Sequence, residues 1–127
     1  MRKILITTAI IGLIFTACKD KEDPCKVVRK EAGKKQDQFE LYRDSTFNYW
    51  LPEAMKIPGY KDVYDLYLPR DGSLKAAITT ANHLEHLLGN ATPAQAAAVR
   101  GAGRTAGQAI TWQEALEAYK KENTTCF

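Results

Sequence analysis

Residues 73–89 read Ser-Leu-Lys-Ala-Ala-Ile-Thr-Thr-Ala-Asn-His-Leu-Glu-His-Leu-Leu-Gly. Leu74, Ala77, Ile78, Ala81, Leu84 and Leu88 recur at three- and four-residue steps, so one stripe of a helix is apolar. Ser73 stands at the capping position before the first of them, and Gly89 follows the last. The stretch therefore predicts an amphipathic helix from Leu74 to Leu88, and it fixes the expectation for the chain: a mainly α domain of helices packed through such stripes.

Downstream, Thr92-Pro93-Ala94-Gln95 is a second helix start. Thr caps, Pro occupies the first helical position, and Gln returns the capping bond. The Ala-rich helix it opens is expected to run to about Ala106. Val99, Gly103 and Gly107 lie four apart on it, a face that a second backbone can approach closely. Thr111-Trp112-Gln113-Glu114 is another capping box, which predicts a separate helix from Trp112 to about Glu122, with Ala115, Leu116 and Tyr119 inward. Upstream, Pro69-Arg70-Asp71-Gly72 has turn composition.

Residues 45–69 hold Phe47, Tyr49, Trp50, Tyr60, Tyr64 and Tyr67, broken by Pro52, Pro58-Gly59 and Pro69. Leu51-Pro52-Glu53-Ala54-Met55 reads as one helical turn. Tyr60, Val63, Tyr64 and Tyr67 fit a short helix, with a strand over Tyr64–Leu68 as the rival reading. Before them Asp23-Pro24 opens a helix, Asp as the cap and Pro at the first position, that reaches about Asp44 and bends near Gly33. Lys26, Arg29, Lys30, Lys34 and Lys35 crowd its start. The count is four or five short helices in one small domain, residues 24–127, and the aromatic centre reads first as the core such a domain needs.

At the other extreme of the chain, Arg2 and Lys3 precede an apolar run, Ile4 to Ala17. That run is shorter than the roughly 20 residues a membrane-spanning helix needs, and its flanks are those of a secretory signal. Its end, Phe15-Thr16-Ala17-Cys18, resembles the lipobox of bacterial lipoproteins. The resemblance covers about the first 18 residues. It implies removal of residues 1–17 by signal peptidase II, acylation of Cys18 with diacylglyceryl and palmitate-type chains, and anchoring in the cell envelope, on the outer membrane, facing the periplasm or the surface. Residues 18–23 then form a charged tether. Lys19-Asp20-Lys21-Glu22-Asp23 resembles the acidic export tag of surface lipoproteins and also fits a plain solvated linker. An ordinary secretory signal is the competing reading of the leader. The basic run after Lys26 fits either anionic headgroups beside a lipid tether or the solvated face of its helix, and because an export tag implies distance from the membrane the second reading is preferred.

The 127 residues carry a formal charge of +3. Loss of Arg2 and Lys3 leaves sixteen basic against fifteen acidic side chains, which gives no case for a nucleic-acid partner. Of the three cysteines, a lipid on Cys18 leaves Cys25 and Cys126, which are expected to pair outside the cytoplasm. Without lipid, Cys18–Cys25 is the rival bridge.

Few motifs carry chemistry. Gly101-Ala102-Gly103-Arg104-Thr105-Ala106-Gly107 has the glycines of a dinucleotide loop but follows an Ala-rich helical stretch, where that loop needs a strand. It reads as a kinked or close-packed helix end, and no cofactor is implied. His83 and His86 are three apart on the polar side of their helix with no further ligand beside them, so they read as surface histidines and no metal is expected. Gly103 to Leu116 is similar to a tail segment of bacterial glucose–fructose oxidoreductase-like dehydrogenases. Those 14 residues contain no cofactor or catalytic motif, so no function comes with them.

The functional expectation is a membrane-anchored envelope lipoprotein that binds a protein partner, in the manner of an inhibitor or immunity protein. Two alternatives stand beside it. One is a glycan- or small-ligand-binding module using Tyr49, Trp50 and Tyr60. The other is an enzyme of unrecognised type using His83 or His86 with an acidic partner.

Overall fold

The computed structural model describes residues 23–127. The leader, the lipobox and Cys18 lie outside the described residues. Within them the fold is mainly α, with three long helices and a short one: α1 (Lys26–Ser45), α2 (Leu51–Ala54), α3 (Tyr60–Leu84) and α4 (Pro93–Glu122). No strand occurs among the described residues, so Tyr64–Leu68 is helical and the rival strand reading falls.

α4 is the axis. Its 30 residues span about 45 Å at the helical rise. The Thr92 cap forms as the sequence predicts: Gln95 N–H donates to Thr92 Oγ1 at 3.1 Å, and Thr92 N–H donates to Gln95 Oε1 at 3.0 Å. The expected break near Ala106 is absent, and so is the second start at Thr111. Thr111 Oγ1 instead donates to the Gly107 carbonyl at 2.9 Å, which keeps the hydroxyl inside a continuing helix. The capping-box spelling lost to packing, because Ala102, Ala106, Ala109 and Leu116 are all buried along one helix.

α1 runs antiparallel to α4. Cys25 bonds to Cys126 at one end of the pair, with Cα atoms 5.4 Å apart. Thr46 meets Thr105 farther along, Oγ1 to Oγ1 at 2.7 Å. The bridge spans a sequence separation of 101, and closing so long a loop stabilises a fold by roughly 4.7 kcal/mol in the chain-entropy account. α1 shows no break at Gly33. Asp23 does not cap α1, because it stands two residues before the cap position, Cys25; its carboxylate accepts from Cys25 N–H at 2.8 Å, so Pro24 and Cys25 form the turn that leads in. A π turn, Thr46–Trp50, joins α1 to α2.

α3 is two limbs joined at Gly72, whose φ of 80° and ψ of 167° are not helical. Residues 60–71 fold back on residues 73–84. Tyr64 Oη donates to the Ser73 carbonyl at 3.2 Å, Thr79 Oγ1 donates to Asp71 at 3.0 Å, and Tyr67 Oη lies 3.1 Å from His83 Nδ1. The turn read at Pro69–Gly72 is thus real but only one residue wide. The second limb lies on α4 with Ala77 and Ala81 inward, and α3 ends at Leu84, where a 3₁₀ segment, Glu85–Asn90, takes over.

Tyr60 and Tyr64 fill the core with Leu51, Ala76, Ala102 and Val99, and Phe47, Trp50 and Leu74 pack against it. The aromatic centre is thus largely core, as its first reading held.

Candidate functional site

An apolar cleft of about 260 Å³ opens at the N-terminal end of α4. Ile57 and Pro58 form one wall, Leu84, Leu87 and Leu88 another, and Val99 the floor. Its shape follows from the change of helix type. Had the helix continued to Leu88 as the sequence predicts, Leu84 and Leu88 would share a face. Three residues per turn instead bring i and i+3 into register, so Leu84 and Leu87 come together at the cleft. Leu88 remains buried, whereas Leu87 is 51% exposed. The sequence stripe omitted Leu87, and nothing in the spacing marked it.

The segment that carries Leu87 is clamped to α4. Arg100 donates to Glu85 through Nη2 at 2.7 Å and Nε at 3.4 Å. The guanidinium holds the Glu85 carboxyl below its ordinary range, and Glu85 in turn raises Arg100. Both groups are exposed, so the clamp orients more than it stabilises.

The three aromatics of the ligand reading are not on one surface. Tyr60 is fully buried between the α3 limbs and α4, and burial pushes its phenol above the usual range. It has no ring face to offer a ligand. Trp50 is half-buried, and its indole sits over Gly101. Tyr49 is exposed and meets Trp50 edge-on, with centroids 4.8 Å apart. Of the three, Tyr49 is exposed and Trp50 partly so.

The other sequence candidates resolve simply. Gly101 to Gly107 lie inside α4, and there Gly103 lets Ala81 approach so closely that a Cβ on residue 103 would come within 2.7 Å of the Ala81 Cβ. Gly107 faces open space. His83 and His86 are exposed, and no group of metal-ligating side chains occurs among the described residues. No helix among the described residues is long and apolar enough to cross a membrane. No protein-family model, curated protein or solved structure matches the chain.

At the far end of α4 the Cys25–Cys126 bridge brings both ends of the described chain together. Lys26, Val27 and Lys30 are exposed on the first turns of α1, and Lys120, Lys121 and Phe127 are exposed at the last turn of α4 and beyond it. The apolar cleft and the bridged end are therefore separated by most of the length of α4.

Proposed function

We propose that the chain is a membrane-anchored lipoprotein of the bacterial cell envelope, held through acylated Cys18, whose helical body binds a protein partner at the Leu87 cleft. The observation that carries the binding role is the exposed Leu87 beside an apolar cleft on a clamped 3₁₀ segment. A large apolar side chain next to a pocket, rimmed by polar groups such as Asn90 and Gln95, is the anatomy of an interface anchor. Tethering at Cys18 puts this cleft at the end of α4 remote from the anchor, where a partner in the envelope or outside it has access. An inhibitor or immunity protein needs no more than such a surface.

A photo-crosslinking residue at position 87, introduced in cells, tests the reading, with the same residue at exposed Gln108 on α4 as control. An adduct of one discrete mass at 87 and not at 108, lost on adding Ala91→Asp at the cleft wall, is the expected result. Equal or absent adducts at both positions overturn it.

The edge-on pair of Tyr49 and Trp50 favours a second reading, a sugar stacked on exposed aromatics. Glycan titration with tryptophan fluorescence tests it, and a response that survives Tyr49→Ala rules it out.

A further inference from the structure

We infer that the disulfide-closed end of the bundle is a footing that rests on an anionic bilayer surface. This rests on the acyl anchor at Cys18 proposed above.

Two observations beyond the anchor carry it. The first is reach. Only residues 19–23 separate Cys18 from the start of the bundle, and five residues extend to at most about 18 Å. The bridge to Cys126 ties the end of α4 to that same short leash. The end that holds Lys26 and Phe127 is therefore kept near the headgroups, while α4 extends for well over twice that distance.

The second is the chemistry of that end. Asp23 pairs with Arg29, and Glu31 with Lys34 and Lys35. Lys26, Lys30, Lys120 and Lys121 have no carboxylate partner among the described residues. Two of them come from the first turns of α1 and two from the last turn of α4. The same end also exposes Val27, 73%, on α1 and Phe127, 53%, the latter under the Lys120 ammonium at 5.5 Å. Lysines around exposed apolar side chains suit an interface of anionic headgroups, where the ammonium meets phosphate and the apolar group enters the acyl boundary. The basic run of α1 alone reads as a solvated helix face. The fold adds to it a second basic segment and an aromatic ring that are distant in sequence.

The test uses the processed full-length lipoprotein reconstituted into vesicles of phosphatidylcholine, alone or mixed with phosphatidylglycerol, with brominated acyl chains as quencher. Flotation with the vesicles is scored first. Phe127→Trp is expected to lose more emission than the wild type, and more in the vesicles with phosphatidylglycerol. Leu87→Trp, at the opposite end of α4, is expected to match the wild type. Combined Lys26→Glu, Lys30→Glu, Lys120→Glu and Lys121→Glu is expected to abolish the added quenching while flotation persists. Quenching of Phe127→Trp no greater than that of Leu87→Trp, or unchanged by phosphatidylglycerol, overturns the footing and leaves the anchor standing. Loss of flotation by the wild type overturns the anchor and the footing with it.

Discussion

The indole of Trp50 occupies the space that a side chain on Gly101 would need. A Cβ built there collides with three ring carbons, so α2 and its π turn can lie on α4 only because residue 101 has none. A glycine inside a helix costs about 1 kcal/mol relative to alanine. Gly101→Ala gains that propensity but forces the ring out of a packed site, which costs about 1–3 kcal/mol. The expected net result is a less stable protein in urea unfolding followed by circular dichroism. Gly107→Ala, with open space around it, is expected to stabilise by about 0.5–1 kcal/mol. A Gly101→Ala protein that gains as much stability as Gly107→Ala would contradict the contact.

Stripe and cap were legible before the fold was known. The Leu74–Leu84 part of the periodicity marks the side of α3 that meets α4, and the Thr92–Gln95 box marks where α4 begins. Both signals are local, so spacing suffices. The continuity of α4 through Thr111 was not legible, because a capping spelling competes there with burial that only the tertiary partners supply. The cleft was missed for a related reason. Its shape depends on a switch from α to 3₁₀ geometry after Leu84, and the spacing of the leucines fits either. The Cys25–Cys126 bridge was the expected pairing, and the two cysteines are bonded.

The hairpin within α3 depends on one residue. Gly72 adopts φ 80° and ψ 167°, a region essentially closed to side chains. Gly72→Ala is expected to destabilise by about 1–3 kcal/mol, measured as a lower urea midpoint at unchanged slope. Gly33→Ala, in a regular stretch of α1 with open space around it, is expected to move the midpoint the other way. Equal midpoints for Gly72→Ala and wild type would show that the limbs turn without a left-handed residue.

Among the described residues two buried hydroxyls have no hydrogen-bond partner: Tyr60 Oη and Thr80 Oγ1. A buried unpaired hydroxyl costs roughly 1–3 kcal/mol. Tyr60→Phe and Thr80→Val each remove the hydroxyl and keep most of the shape. Each is expected to be neutral or to raise the unfolding midpoint. Tyr64→Phe is the contrast, since it gives up a bond to the Ser73 carbonyl and is expected to lose about 0.5–1.5 kcal/mol. A clear loss in Tyr60→Phe would mean that a partner, such as a buried water, satisfies its hydroxyl.

Acid is expected to loosen the wall of the Leu87 cleft. The hydrogen bond from Arg100 lowers the Glu85 carboxyl below the ordinary glutamate range. A carboxylate with a lowered folded-state value favours the folded arrangement fully above its ordinary range, and that contribution fades as pH falls through the lowered value. Residues 85–90 are tied to α4 partly by this clamp. Carboxyl chemical shifts of Glu85 should therefore titrate below the ordinary glutamate range in wild type and return to it in Arg100→Gln. Amide exchange of residues 85–90, corrected for the intrinsic acid dependence, should rise in wild type over the same interval, ahead of the rest of α4. In Arg100→Gln the corrected exchange should already be high at neutral pH and change little on acidification. Exchange that is the same in the two proteins at every pH would remove the clamp from any account of how the cleft is held.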